Sequence, residues 1–167
     1  MILLGQLILL KRAILSPVKL RFLQADITNL ALSQRFDLII SVHTFEHIAG
    51  EKVSLLFKNI NQWLKPAGRF YLSVPTEASL VNRYQRLMEQ LKKIPPWDPT
   101  HISFFTVSGL KKMGKRAGLK LLAIHRKLFP SKKLRAIAEK FSLPSFLQNP
   151  LTVEAIFVFE KEPYQSR

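Results

Sequence analysis

The stretch Phe36-Asp37-Leu38-Ile39-Ile40-Ser41-Val42-His43-Thr44-Phe45-Glu46-His47-Ile48 decides the fold of this chain. Its apolar part, Leu38–Val42, is too short for a buried helix and rich in Ile and Val, which predicts a strand buried on both faces. The strand is followed by His43, Glu46 and His47. Ligands of open parallel sheets bind beyond the carboxyl ends of the strands, so a functional site is expected at these polar side chains.

Strand patterns and helix patterns alternate along the rest of the chain. Further strands are predicted over Lys19–Ala25, Arg69–Pro75, Leu119–His125 and Val153–Phe159. Apolar side chains spaced three and four residues apart predict helices that begin near Val53, Leu80, Thr106 and Ser131. Strands that alternate with helices are typical of an α/β domain with a largely parallel sheet.

Local signals define the ends of two of these helices. The segment Lys65-Pro66-Ala67-Gly68 ends the helix that begins near Val53. Thr106 is the expected N-cap of a later helix, and Gly118 is expected to end it in the left-handed conformation. The loop or short edge segment Trp97–Phe105 precedes that helix.

The composition fits one domain with an excess of basic side chains. The chain has 167 residues and no cysteine, which excludes disulfides and thiolate ligands and is compatible with a reducing cytoplasm. The net charge of +15 lies mainly in the second half, where it could attract nucleic acid or an anionic membrane surface. No aromatic platform accompanies the charges, so we favour a solvated face of cationic helices. The apolar first ten residues precede Lys11 and Arg12 and are too short for a membrane span.

Several short motifs stand in order along the chain. They are Phe36–Ser41 with Glu46-His47, Leu64–Arg69, Ser73-Val74-Pro75, Asp98-Pro99-Thr100-His101, Phe105-Thr106 and Ala117-Gly118-Leu119. From about Lys19 to Lys161 this series resembles class I S-adenosylmethionine-dependent methyltransferases of the broad bacterial small-molecule type. The resemblance implies a Rossmann-like sheet, S-adenosylmethionine as cofactor and methyl transfer to a small-molecule, glycan or lipid-precursor acceptor.

The chain departs from the family pattern in its first part. Family members open with two strands, a glycine-rich loop around the methionine moiety and an acid that holds the ribose. The six glycines here, at 5, 50, 68, 109, 114 and 118, form no G-x-G. We therefore expect a sheet that lacks its first two strands and that loop, and weak cofactor binding by this chain alone. Two accounts remain open, an enzyme whose missing half is encoded upstream and a non-catalytic remnant whose basic face binds an anionic partner.

The resemblance assigns several cofactor residues. Asp26 matches the acid that accepts a hydrogen bond from the adenine amino group, and Ile27 matches the apolar residue that packs on the ring. Ser41, Val42 and His43 match the segment whose backbone passes near the transferable methyl group. At Ala67 the family usually has a second glycine, and Gly68 is expected to keep that turn.

The local chemistry of Asp26 supports a second interpretation. An aspartate directly before Thr28 and Asn29 can begin an Asx turn without any ligand. The residues alone leave both roles open.

Histidines are the candidates for catalysis. An oxygen or nitrogen acceptor must lose a proton, and histidine accepts protons near neutral pH. His43 and His47 stand four residues apart and would share one face if this segment opens a helix. Glu46 and His101 are expected to border the substrate pocket. The alternative is structural, with Glu46 as a helix N-terminal charge and His47 as a packed residue.

A metal site is a weaker alternative for the same residues. His43, Glu46, His47 and His101 resemble the ligands of metal-dependent RNA ribose methyltransferases, although His43 stands where those enzymes have an acid. Imidazole and carboxylate groups suit a divalent metal that polarises an acceptor hydroxyl. The motif Asp98–His101 also occurs in metal-free relatives.

One partial methyltransferase domain is predicted over residues 1–167. It comprises an apolar lead-in (1–18), the core (19–130), a basic helical insertion (131–150) and the last strand with a tail (151–167). The insertion could cover the substrate or lie on a membrane surface, and packing on its own domain is favoured. The expected partners are a small-molecule acceptor and either a second copy or a chain that supplies the missing half.

Overall fold

A computed structural model describes residues 22–76, 79–92, 98, 100–128, 148 and 151–162. These residues form the strands β1 (Phe36–Val42), β2 (Leu64–Pro75), β3 (Leu119–Leu128) and β4 (Thr152–Lys161). They also form the helices α1 (Gly50–Trp63), α2 (Leu80–Gln90) and α3 (Val107–Arg116), and one 3-10 turn over Phe45–His47. The four strands and three helices were all predicted. The apolar lead-in and the helix expected after Ser131 lie outside the described residues.

The strands form one sheet in the order β1-β2-β4-β3. β1 pairs with β2 in parallel, whereas β4 enters between β2 and β3 and runs antiparallel to both. β1, β2 and β3 therefore run in the same direction, and only β4 is reversed. The expectation of a largely parallel Rossmann-like sheet is confirmed, with this one reversal.

One face of the sheet carries the hydrophobic core together with α1 and α3. α1 buries Val53, Leu56, Phe57 and Ile60, which is the face that the apolar spacing predicts. Four phenylalanine rings from different elements meet in this core, namely Phe45, Phe57, Phe70 and Phe159. Complete burial of such a side chain contributes about 1.5–3 kcal/mol, so this cluster anchors the carboxyl end of β1 to the helices.

The opposite face of β1 is exposed in the described structure, and the prediction of a strand buried on both faces is wrong. Leu38, Ile40 and Val42 are 48%, 63% and 45% exposed, whereas Ile39 packs against the core. Alternate residues of a strand point to opposite faces, so these three side chains share one face. Among the described residues β1 pairs only with β2, and no helix lies over its second face.

The strand predicted over Lys19–Ala25 is not found in its described part. Residues 22–25 have no strand assignment, and Phe22 and Leu23 are exposed. An extended segment becomes a strand only where a neighbour pairs with its backbone groups. Among the described residues, no strand lies beside residues 22–25.

The bend near the start of β2 differs from expectation in the residue that adopts the left-handed conformation. Ala67 adopts the left-handed conformation with φ 59°, and Gly68 does not. A Cβ at Gly68 would lie 2.8 Å from the Lys65 carbonyl oxygen and 3.0 Å from that of Phe36. Gly68 is therefore required for close backbone approach, and Ala67 carries a conformational strain of about 1–2 kcal/mol.

α2 begins directly beyond the end of β2. The Ser79 hydroxyl accepts a hydrogen bond from the Asn82 backbone N–H and caps the helix. The Asn82 side chain also donates to the carbonyl groups of Thr76 and Val153, which fixes the helix to the ends of β2 and β4. Leu80 and Tyr84 of its predicted apolar stripe are exposed in the described structure.

Both predicted ends of α3 are confirmed. The Thr106 hydroxyl accepts from the Gly109 backbone N–H at 3.0 Å, and Gly118 has φ 77°. The helix buries Val107 and Leu110 and exposes its basic side chains, Lys111, Lys112, Lys115 and Arg116. This exposure is compatible both with a solvated face and with binding of an anionic partner, so the preference for a solvated face stays a prediction. Within the described ranges, no helix combines the length and apolar character needed to span a bilayer.

Candidate active site

The candidate site lies where β1 and β2 end. β1 and β2 are parallel neighbours, so their carboxyl ends meet at one edge of the sheet. Directly after β1, the His43 backbone N–H donates to the Ser73 carbonyl at 3.0 Å, and His43 adopts φ 49°. This left-handed residue turns the chain out of the sheet and into the Phe45–His47 turn.

Glu46 is the buried centre of the site. Its side chain is fully buried, with Oε1 3.0 Å from His43 Nδ1 and 4.0 Å from His101 Nε2. Its Oε2 atom is buried and has no hydrogen-bond partner in the described structure. The Glu46 carbonyl accepts from the backbone N–H groups of Ile102 and Ser103, which brings the segment around His101 to this edge.

His43 is held between two carboxylates. Its Nδ1 contacts Glu46, and its Nε2 lies 3.3 Å from Oε1 of Glu154 on β4. The Glu154 carboxylate, and after it Glu46, raises the pKa of His43 from 6.5 to about 10. At neutral pH His43 is an imidazolium that donates both protons to carboxylates, and such a group is a poor general base.

Glu154 joins three elements at this edge. It accepts hydrogen bonds from the Ser73 hydroxyl of β2 and from the Lys127 ammonium of β3, each at 2.8 Å. The hydrogen bond from His43 is the main cause that holds the Glu154 pKa well below its usual range. The hydrogen bonds from Lys127 and Ser73 lower this pKa further. Sequence reasoning assigned no site role to Glu154, Lys127 or Ser73. No local motif marks Glu154 or Lys127, and Ser73 entered only as part of the Ser73-Val74-Pro75 motif, because only the sheet brings the three residues together.

His47 has a defined tautomer. The Thr100 hydroxyl donates to Asp98 Oδ1 at 2.5 Å, so its oxygen can only accept from His47 Nδ1, which lies 2.8 Å away. The Thr100 carbonyl is a second acceptor, 3.1 Å from the same nitrogen. The proton of neutral His47 is therefore on Nδ1, and Nε2, which has no hydrogen-bond partner among the described residues, carries a lone pair that can accept a proton or bind a cation.

His43 and His47 do not share a helix face. The helical segment is a single 3-10 turn over Phe45–His47, so a spacing of four does not align them. His43 turns toward Glu154, whereas the His47 ring packs against the His101 ring with centroids 4.9 Å apart. The shared face was expected only if this segment opens a helix, and the single 3-10 turn does not meet that condition.

Three of the four residues in the metal alternative come together. The ligand atoms of Glu46, His47 and His101 all lie within 4.8 Å of one another. His101 also lies beside Asp98, with Nε2 3.5 Å from Oδ2. His43 stands apart from this set because both of its nitrogens face carboxylates. We call Glu46, His47 and His101 the Glu-His-His cluster.

Asp26 lies on a separate turn and forms the Asx turn that its neighbours suggested. Its Oδ1 accepts from the backbone N–H and hydroxyl of Thr28, and its Oδ2 accepts from the Asn29 amide. The Thr28 backbone hydrogen bond is the main cause of a lowered Asp26 pKa. The carboxylate keeps spare lone pairs for one more donor, so this turn is compatible with an adenine contact.

The remaining expected cofactor residues differ in environment. Ile27 is partly buried and packs against the core. The Ser41 hydroxyl is buried without a hydrogen-bond partner among the described residues, and Val42 lies on the face of β1 that no described helix covers. The assignment of these residues to the cofactor stays a prediction.

Comparison with known proteins identifies the family. A family model described as a methyltransferase domain matches residues 11–124. No curated protein is detectably similar to the chain in sequence. The matched residues cover more than half of the chain, and the chain therefore belongs to the methyltransferase-domain family.

Solved structures support the same fold at low sequence identity. An S-adenosylmethionine-dependent methyltransferase from Mesorhizobium loti is 19% identical with a TM-score of 0.53, over 82% of this chain and 67% of that chain. One from Archaeoglobus fulgidus is 16% identical with a TM-score of 0.56, over 83% and 66%. The magnesium protoporphyrin IX methyltransferase from Synechocystis, solved with bound SAH, is 13% identical with a TM-score of 0.57, over 84% and 51%.

The family match identifies a methyltransferase domain, and the described residues share the fold of solved S-adenosylmethionine-dependent methyltransferases. The chain spans about half to two-thirds of the length of these three structures.

Proposed function

We propose that this chain takes part in methyl transfer from S-adenosylmethionine to a hydroxyl or amine group of a small molecule, such as a glycan or lipid precursor. The observation that carries the proposal is the Glu-His-His cluster at the carboxyl edge of β1 and β2. In a sheet of this kind the edge is where ligands bind. The family membership supports the cofactor.

The residues of this chain fit the adenine side of the cofactor. Asp26 has lone pairs left to accept from the adenine amino group. The Ser41 hydroxyl, which has no hydrogen-bond partner among the described residues, lies next to the last residue of β1. The sequence offers no G-x-G to wrap the methionine moiety. When bound, the cofactor supplies an electrophilic methyl group, and the protein must hold an acceptor in line with it.

The geometry favours His47 over His43 for removal of the acceptor's proton. His47 donates Nδ1–H to Thr100 and keeps its Nε2 lone pair free, whereas His43 has donated both N–H groups to carboxylates. A positioned base of this kind contributes about 10²–10⁴-fold to rate. We assign His43 a positioning role, in which it fixes the Glu46 carboxylate beside His101.

An acceptor screen tests this proposal. The chain is incubated with S-adenosylmethionine and a panel of hydroxyl- and amine-bearing small molecules, and mass spectrometry measures acceptor-dependent S-adenosylhomocysteine and a product heavier by one methyl group. We expect turnover with at least one acceptor, reduced at least about 100-fold in His47→Ala and unchanged in His125→Ala, which alters an exposed histidine on β3. Equal turnover by wild type and His47→Ala would refute the role of His47, and no turnover with any acceptor would contradict the function.

A further inference from the structure

We infer that the Glu-His-His cluster binds a divalent first-row transition metal of the zinc type. The cluster offers one carboxylate and two imidazoles whose ligand atoms lie within 4.8 Å of one another. A tetrahedral zinc site with bonds of about 2.0–2.1 Å holds its ligand atoms about 3.4 Å apart. Small rotations of the His47 and His101 side chains, which are only partly buried, would close that difference.

The first argument is the unpartnered carboxylate oxygen. Glu46 Oε2 is completely buried and has no hydrogen-bond partner in the described structure. Buried polar atoms are nearly always satisfied, so such an atom calls for a partner. The nearest nitrogen of His101 lies 4.0 Å from Oε1, which is too long for a hydrogen bond. A cation that is bound by both oxygens of this carboxylate would give Oε2 the partner that it lacks.

The second argument is the orientation of His47. Its Nδ1–H is donated to the carbonyl and the hydroxyl oxygen of Thr100, and Asp98 holds that hydroxyl in turn. Histidines that bind metals through one nitrogen almost always donate the other N–H to a carbonyl or carboxylate. His47 is therefore in the tautomer that leaves Nε2 unprotonated, and the hydrogen bonds of its Nδ1–H fix the ring orientation, as a metal ligand requires.

The donor set selects the class of metal. Two imidazoles and one carboxylate suit zinc, cobalt, manganese or iron better than magnesium or calcium, which prefer oxygen ligands. Three protein ligands leave at least one coordination position open, as in catalytic zinc sites. Where the proposed function holds, the metal would lower the pKa of an acceptor hydroxyl at that position, so that its proton could pass to solvent water, and His47 would then hold the metal in place of accepting the proton itself.

A cobalt titration tests the site without any need for turnover. Metal-free protein is titrated with Co²⁺, whose visible absorption reports nitrogen and oxygen ligation, and Zn²⁺ is then added as a competitor. We expect one equivalent to bind and Zn²⁺ to displace it. Each lost ligand should weaken metal binding at least about 10-fold. We therefore expect His101→Ala and Glu46→Gln each to bind Co²⁺ at least about 10-fold more weakly than wild type. The matched control His125→Ala should bind like wild type.

Several results would overturn the inference. They are the absence of stoichiometric Co²⁺ or Zn²⁺ binding at millimolar metal, unchanged affinity in His101→Ala, or equal loss in His125→Ala. Circular dichroism of each metal-free variant checks that it is folded, and His101 is partly exposed, so its change leaves the core intact. S-adenosylhomocysteine binding measured in EDTA reports separately on the proposed function, so failure of either proposal is recognised independently.

Discussion

Replacement of Glu154 by Gln tests the ionic network that fixes the end of β1. Glutamine keeps the size of the side chain and one acceptor oxygen but removes the charge that holds His43, Ser73 and Lys127. The Ser73 hydrogen bond loses its charged acceptor, which costs about 1 kcal/mol. The His43 and Lys127 pairs are about half exposed on the basic side, so together they add only about 1 kcal/mol more. We expect a total loss of about 2 kcal/mol.

The loss should depend on pH in a defined way. The Glu154 pKa is lowered on folding, so its contribution is present above 4.5 and is lost as pH falls below that value. The His43 pKa is raised, so its contribution is full below 6.5 and is lost as pH rises from 6.5 to about 10. The difference between wild type and Glu154→Gln should therefore be largest between pH 4.5 and 6.5.

Urea unfolding of metal-free protein, followed by circular dichroism from pH 4 to 10, measures this difference. Glu160→Gln is the matched control, because Glu160 lies on the same strand and its salt bridge is a single one to the half-exposed Arg69. We expect the control to lose less than about 1 kcal/mol. A Glu154→Gln loss below about 0.5 kcal/mol, or one that does not vary with pH, would refute the reasoning.

Three further changes test the fold. Ala67→Gly should stabilise the protein by about 0.5–1 kcal/mol in urea unfolding, because relief of the left-handed strain exceeds the entropy that glycine loses; destabilisation would contradict this. Gly114→Ala should cost about 1–3 kcal/mol despite the better helix propensity of alanine, because its Cβ would clash with the buried Phe159 ring. An increase in stability would show that the ring can move aside. Phe57→Ala should cost about 3–5 kcal/mol because Phe57 is fully buried among other rings, and a loss below about 1 kcal/mol would contradict the core described above.

Local patterns were sufficient to predict most of the secondary structure. The apolar spacing of α1, the Thr106 cap and the left-handed Gly118 are determined by neighbouring residues, and all are present. Two predictions that depended on a neighbouring strand or on a helix over the sheet were wrong in the described structure. Residues 22–25 form no strand, because none lies beside them in the described structure, and one face of Leu38–Val42 is uncovered there.

The site was predictable only in part, because its contacts join segments that are distant in the sequence. The proximity of Glu46, His47 and His101 was expected only from the resemblance to known methyltransferases, and the structure brings the three side chains together. The chemical states of these residues do not follow from the motifs. The partner of His43 is Glu154, which approaches because β4 pairs with β2, and the tautomer of His47 depends on Thr100.

Isothermal titration with S-adenosylhomocysteine tests the central claim, that this chain is a methyltransferase domain with a cofactor site at the carboxyl edge of β1. We expect saturable binding of one equivalent, on the order of a hundredfold weaker than a micromolar site, because the sequence has no G-x-G loop and we therefore expect two or three fewer hydrogen bonds to the methionine and ribose moieties. Asp26→Ala should weaken it further, whereas Asp37→Ala, at the other end of β1, should not. Absence of saturable binding at millimolar ligand would contradict the claim.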